Sequence, residues 1–177
     1  MSTNYLEPEF AQKVPDGDNM TRSVCTRCGF MDYQNPKIVV GSVAIADDKV
    51  LLCKRAIEPR KGFWTLPAGF MELKETLEEA AMREAREEAC AELEIDRLLA
   101  TYSVPHISQV QIMFRAQLTN PSTIGAGPES EAVDLFKWSD IPWTDLAFPS
   151  VYWALKQYEQ SKNLVEFAPF TNPVDGL

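Results

Sequence analysis

Apolar positions along the chain fall into short β-type runs separated by turn residues, with two helical stretches among them. "KIVVGSVAIADDKVLLCKRA", Lys37 to Ala56, carries Val39, Val40, Val43, Ile45 and Val50 to Leu52. These are mostly β-formers, and "ADD" before Lys49 is a turn signal, so two strands of a hairpin are expected. A short strand is expected around Trp64 to Leu66, closed by Pro67 and Gly69. Thr76 suits a helix N-cap with Glu79 three residues on, and the helix should reach about Cys90. Further strands are expected around Leu98 to Val104, in "SQVQIMFRAQL" and in "EAVDLFKWS". "NPSTIGAGPES" reads as a loop, and Pro149 suits the first turn of a C-terminal helix. Strands alternating with two helices predict an α/β fold, a mixed sheet flanked by helices.

Residues 1–36 lack sustained periodicity. They hold a turn signal, "VPDGD", and a tight knuckle, "CTRCGF". The reading is an N-terminal appendage at 1–36, a main domain at 37–160 and an irregular tail at 161–177. No apolar run approaches the roughly 18 residues needed to span a bilayer, and the first residues lack a signal-peptide pattern. A cytoplasmic protein is expected, with organellar import left open.

Charge narrows the partners. The formal net charge is -9. Nucleic acid and anionic membranes are therefore not expected partners, because both are bound through Lys and Arg. A phosphorylated small molecule remains compatible, provided that divalent cations bridge the like charges.

"GFMELKETLEEAAMREAREEA", Gly69 to Ala89, holds the candidate chemistry. Glu84, Glu87 and Glu88 stand at i, i+3 and i+4 and share one helical face. Arg83 can offset only part of their repulsion. Leu77, Ala81, Ala85 and Ala89 form a row of mostly small residues that permits close packing on a sheet. Glu79, Met82 and Arg86 point away as the solvated face. The three carboxylates thus border the buried side, where unpaired charge is costly. A hard cation such as Mg²⁺, which takes oxygen ligands, removes the conflict. Gly69 can present its carbonyl near this patch with no side chain in the way.

Gly69, five residues, Glu75, seven residues, then Arg83-Glu84-Ala85-Arg86-Glu87-Glu88 resembles the Nudix box. The resemblance runs from about Ile38 to Tyr158 and implies a Nudix α/β/α sandwich with a mixed sheet. It implies that Glu84, Glu87 and Glu88 ligate Mg²⁺ or Mn²⁺ with the Gly69 carbonyl. Arg83 would orient a ligating Glu, and Glu75 would support the loop-helix geometry or reach the metal through water. It further implies a pyrophosphatase acting on nucleoside diphosphate derivatives. Two positions depart from the family's pattern. Cys90 replaces the Gly that normally ends the box, so the helix should run a turn longer or end with mild strain. Lys74 stands where related sequences often carry Gly.

"VCTRCGFMDYQNPKIVVGSVA" resembles the zinc-ribbon leader of the Nudix subgroup that includes NADH and FAD pyrophosphatases. A structural zinc wants four ligands. Cys25 and Cys28 supply two, and no other CxxC exists in the chain. A half zinc ribbon, a hairpin held by packing and without zinc, is expected, the alternative being an incomplete or intermolecular zinc site. Cys53 and Cys90 read as buried small hydrophobes.

The run Tyr102 to Val110 departs from the segment shared by NADH pyrophosphatases. It resembles the branch that cleaves FAD and ADP-ribose, as do "PESEAV" and "IPWTDLAFPSVYWAL". The expected reaction is pyrophosphate hydrolysis of FAD or ADP-ribose, releasing AMP. The alternatives are an oxidised nucleoside triphosphate pyrophosphatase and a non-catalytic nucleotide sensor. Glu129 or Glu131 is the candidate general base, and Arg55 a candidate phosphate contact. Trp64, Phe70, Tyr102 and His106 are candidates to stack on a substrate ring. The resemblance implies a homodimer as the assembly.

Overall fold

The fold was analysed in a computed structural model, which describes residues 7–174. The chain divides into two compact units, Met1–Pro36 and Lys37–Leu177.

The first unit is a three-stranded antiparallel sheet, not the hairpin expected. Strands β1 (Phe10–Lys13), β2 (Arg22–Cys25) and β3 (Met31–Asp32) lie in the order β1-β2-β3. Strand β1 escapes the sequence pattern because FAQK is mostly exposed and carries no alternation. The knuckle closes on itself: the Gly29 N–H donates to the Cys25 carbonyl at 3.0 Å, and the Cys25 N–H to the Phe30 carbonyl at 2.8 Å. Cys25 is buried and Cys28 exposed.

The second unit contains β4 (Lys37–Ala46), β5 (Lys49–Arg55), β6 (Trp64–Thr65), β7 (Ala68–Phe70), helix α1 (Leu77–Ala89), β8 (Leu93–Val104), β9 (Gln109–Leu118), β10 (Ser130–Lys137) and helix α2 (Pro149–Ser161). The sheet runs β10-β5-β4-β9-β8, with β6 on β5 and β7 on β4. The β4–β9 pair is parallel and the others are antiparallel, so the sheet is mixed. Period-two alternation assigns the faces. Val43, Ile45, Val50 and Leu52 pack with Val151, Ala154 and Leu155 of α2. Ala44, Ala46, Leu51 and Cys53 pack with Ala85 and Ala89 of α1. The two helices therefore cover opposite faces, the α/β/α layering that the resemblance implied. Among the described residues, no helix is long and apolar enough to cross a membrane.

Strand β8 begins five residues earlier than the pattern predicts. Irregularities between Ile95 and Arg97 and between Leu98 and Ala100 break its alternation and hide its first half. The tail also finds partners on β8. Phe170 exchanges backbone hydrogen bonds with Leu99 and Thr101, and the Asn172 side chain bonds the Ser103 backbone.

Strands β4 and β5 pair only near their turn, at Ile45–Val50 and Ala46–Lys49, and then part. The segment Trp64–Phe70 takes up the freed edges. Thr65 pairs with Cys53, and Gly69 with Val40. This split brings the end of β5, the β7 strand and the start of α1 to one end of the sheet.

A candidate metal and catalytic site

Helix α1 begins as its residues dictate. Thr76 Oγ1 accepts from the Glu79 N–H at 3.2 Å, and Glu79 Oε2 accepts from the Thr76 N–H at 2.7 Å. Such a capping box contributes about 1 kcal/mol. The helix stops at Ala89, and Cys90 takes a left-handed backbone at φ 50. The longer helix is thus corrected, and the mild strain is what occurs, at about 1–2 kcal/mol for a non-glycine residue. Cys90 is exposed, not buried as expected. Lys74 also keeps a left-handed φ of 71, so its backbone holds a conformation that glycine favours. The last carbonyls of α1 find partners in the loop before β10: the Gly125 N–H bonds Ala89, the Gly127 N–H bonds Glu88, and Asn120 Nδ2 bonds Cys90.

The row Ala81, Ala85 and Ala89 is fully buried against the sheet, as expected. Glu79 and Arg86 are solvated, but Met82 is half-buried and packs against the buried cluster that holds Ala85 and Ala89. Glu84 and Glu88 are buried, whereas Glu87 is exposed. A Cβ on Gly69 would meet the Glu84 carboxylate as it stands, so the absence of a side chain there lets that carboxylate lie against the turn. Glu88 Oε2 accepts from the neighbouring Ala68 N–H at 3.1 Å.

Arg83 organises the acidic residues. Its Nε and Nη2 donate to both Glu75 oxygens at 3.0 and 2.8 Å. Its Nη1 donates to Glu84 at 2.7 Å and to Glu87 at 3.0 Å, and its Nη2 also reaches the Phe70 carbonyl at 3.0 Å. These bonds, with the Glu72 N–H, hold the Glu75 carboxyl down at about 2. Burial acts the other way on the remaining pair. It raises Glu84 despite Arg83. It pushes Glu88 up to about 8, with the charges of Glu84 and Glu129 adding to the rise. The Ala68 N–H and the charge of Arg55 oppose that rise.

The donor set fits a hard divalent cation: buried carboxylate oxygens at a glycine turn, short of positive charge. As these side chains stand, no three His, Cys, Asp or Glu groups among the described residues converge on one point. Glu87 is turned instead toward Arg83.

The N-terminal unit does not fit a zinc ion in the same way. The whole segment 1–36 contains only Cys25 and Cys28 as thiol or imidazole ligands, half of a structural site.

Other candidates separate in space. Ser130 pairs with Arg55 across β10 and β5, and the Glu129 carbonyl accepts from the Ala56 N–H at 2.8 Å. Glu131, at the bulge between Ser130 and Ala132, points to Lys54 at 3.8 Å. Arg55 donates to the Pro59 carbonyl at 2.8 Å and lies over the Phe148 ring, 5.3 Å from its centroid. Of the four rings proposed to stack, Phe70 and His106 are exposed. Phe70 carries the Lys37 ammonium 4.9 Å from its centroid. Tyr102 is corrected to a core residue: it is fully buried and bonds Gln157 at 2.5 Å, leaving no face for a ligand. Trp64 sits edge-on to Phe136 at 4.8 Å and packs against the core. Phe148, which stacks on Arg55, was not legible as a site residue, since a phenylalanine before a helical proline looks like any staple.

The metal-free protein should lose stability as pH rises. Glu88 titrates near 8 when folded against an ordinary 4.5, so the folded state holds the extra proton between those values. That contribution is complete below about pH 4.5 and lost as pH rises through about 8. Glu75 acts oppositely: its contribution is present above 4.5 and lost as pH falls toward 2. In EDTA, Tm should fall between about pH 5.5 and about 8.5, and Glu88→Gln should flatten that fall. An equal slope in the variant would refute the assignment.

Comparison with known proteins places this geometry. Residues 35–158 match the NUDIX domain, and residues 8–34 match the Nudix N-terminal zinc-ribbon domain. An ADP-ribose pyrophosphatase of Methanocaldococcus jannaschii is 33% identical over 74% of this chain and 78% of its own length. The NAD-capped RNA hydrolase NudC of Klebsiella pneumoniae is 28% identical over 67% of this chain, which spans only 46% of that relative. A crystal structure of a NUDIX hydrolase from Nitrosomonas europaea superposes with a TM-score of 0.87 at 45% identity, covering 96% of this chain and 97% of its own. The chain belongs to the Nudix family of hydrolases, with that family's zinc-ribbon type of module ahead of its hydrolase domain.

Proposed function

We propose that this Nudix pyrophosphohydrolase cleaves the pyrophosphate bond of ADP-ribose or FAD and releases AMP. The observation that carries the reading is the buried Glu84–Glu88 pair. Glu84 lies against the Gly69 turn, Glu88 accepts from the Ala68 N–H, and the charge of Glu129 raises both carboxyls. Carboxylates so placed repel a pyrophosphate unless divalent metal intervenes. Glu84, Glu87 and Glu88, with the Gly69 carbonyl, would hold Mg²⁺ or Mn²⁺. The bound ion supplies Lewis-acid polarisation of the phosphoryl oxygens and a more acidic water.

The chain's own residues have separable tasks. Arg83 fixes Glu84 and Glu87 and is itself fixed by Glu75. Glu129 is the better candidate to accept the proton of the attacking water, because its charge is felt at Glu84 and Glu88 while Glu131 faces Lys54. Arg55, beside Ser130, meets a substrate phosphate. The substrate choice leans on the 33% identical ADP-ribose pyrophosphatase and on the Tyr102 to Val110 run. The N-terminal unit is held by strand pairing without a zinc of its own.

Chromatographic product analysis tests this. With purified protein and Mg²⁺, ADP-ribose should give AMP and ribose 5-phosphate, and FAD should give AMP and FMN. An 8-oxo-dGTP control should remain intact. Pyrophosphate released from 8-oxo-dGTP, with the dinucleotides untouched, would overturn the substrate assignment.

A further inference from the structure

We propose that Gly127 is a positioning residue for the hydrolysis: its bare backbone seats the β9–β10 loop on the last turn of α1 and so sets where Glu129 stands relative to the Glu84–Glu88 pair. The proposal rests on the pyrophosphatase reading above, in which Glu129 takes the proton of the attacking water. It adds what holds that carboxylate in place. The loop spans residues 119–129, between Leu118 of β9 and Ser130 of β10. A connection of that length with no element of its own is a poor mount for a reacting group unless something fixes it.

Helix α1 supplies that fixture. The loop runs back along the helix end, one carbonyl after another. Asn120 Nδ2 donates to the Cys90 carbonyl at 3.1 Å, the Gly125 N–H to that of Ala89 at 2.9 Å, and the Gly127 N–H to that of Glu88 at 3.0 Å. These are carbonyls that a helix end leaves without internal partners. Two residues on, the Glu129 carbonyl accepts from the Ala56 N–H at 2.8 Å, just past β5. The Gly127 carbonyl accepts from the Ser130 N–H at 3.1 Å, which closes a turn over Pro128 and Glu129. Glu129 is thus clamped on both sides, on the carboxylate helix and at the end of β5. From there its charge acts on Glu84 and Glu88.

The clamp closes only over a residue without a side chain. A Cβ at Gly127 would overlap the Glu87 carbonyl oxygen, and would lie 2.8 Å from the Glu87 carbonyl carbon and 3.2 Å from that of Glu88. All three atoms are helix backbone, so no change of rotamer relieves the clash. The glycine is not there for its own dihedral angles, since its φ lies outside the left-handed region. Gly125, two residues earlier and bonded to the same helix end, is the internal comparison: a Cβ there would meet nothing within 4 Å. One added methyl therefore parts the loop from the helix at residue 127 and leaves it seated at residue 125. A shift of about 1 Å at a reacting group can cost about a hundredfold in rate.

Gly127→Ala should lower kcat for ADP-ribose at least about tenfold and leave KM close to wild type, because the displaced group acts on water and not on the bound substrate. Gly125→Ala should keep wild-type kcat and a higher Tm than Gly127→Ala. Glu129→Gln should lower kcat about a hundredfold in the wild type, the low end for a lost general base. In the Gly127→Ala background it should cost far less, since that carboxylate is already displaced. A merely structural defect would give additive losses instead. Amide hydrogen exchange on the wild-type protein depends on no variant's folding: the Gly127 amide should be protected as strongly as the last turn of α1. Wild-type kcat in Gly127→Ala or in Glu129→Gln, equal losses in the two alanine variants, or additivity with Glu129→Gln would overturn the proposal. So would a Gly127 amide that exchanges at the free-peptide rate. If the wild-type protein cleaves neither dinucleotide, the pyrophosphatase reading fails, and the exchange data with the two Tm values still decide whether a bare Gly127 seats the loop.

Discussion

Glu88→Gln should lower turnover at least about a hundredfold while leaving the fold intact or slightly more stable. The two effects have one origin. Glu88 is a buried carboxylate whose single backbone donor is the Ala68 N–H. Its carboxyl is pushed up to about 8 by burial first and by the neighbouring acids next. A buried group in that state destabilises the metal-free fold at neutral pH, so the neutral isostere relieves the protein. Glutamine keeps an oxygen for the Ala68 N–H and loses the charge that would hold the cation. Mg²⁺ should raise the Tm of the wild type, by mass action on the folded state, and should do so far less in the variant. Steady-state kinetics and thermal melts with and without Mg²⁺ check both halves. Turnover near wild type in Glu88→Gln would sink the site assignment outright.

The parts of this protein that follow local rules were legible in its sequence. The capping box at Thr76, the β4–β5 hairpin and the small-residue face of α1 each rest on residues a few positions apart. The parts that depend on distant partners were not. Met82 looks solvated on a helical wheel, and only the folded sheet assembles the buried cluster against which it packs. Tyr102 resembles a ring awaiting a ligand until Gln157, 55 residues away, takes its hydroxyl. Glu129 and Glu131 are equivalent in sequence, and the bulge between Ser130 and Ala132 is what sends Glu131 toward Lys54. Cys90 is a reverse case. Its residue type argued for a longer helix or a mildly strained end, and the Gly125, Gly127 and Asn120 partners of the helix end hold the strained left-handed turn in place.

Arg83→Lys should be the most damaging conservative change outside the carboxylates themselves. The guanidinium spans Glu75, Glu84, Glu87 and the Phe70 carbonyl at once, with side-chain exposure of only 20%. Lysine carries the same charge as a single point with three donors and cannot make a bidentate pair with Glu75 while reaching Glu84. Losing that geometry leaves half-buried carboxylates facing one another. We expect a stability loss of about 2 kcal/mol, below the 3–5 of a fully buried pair because water reaches part of this one. For a chain of this size that lowers Tm by roughly 4–8 °C. Turnover should fall by about tenfold or more, since Glu84 and Glu87 lose their common anchor. The acid limb separates this from a general packing defect. Arg83 is the main cause of the depressed Glu75 carboxyl, so the variant should lose the part of its acid instability that falls between pH 4.5 and about 2. Glu75→Gln should lose the same part, and the double variant should cost less than the sum of the two. Strict additivity of the two changes, or an unaltered acid limb in Arg83→Lys, would show that Arg83 acts on the site by some route other than the Glu75 bridge.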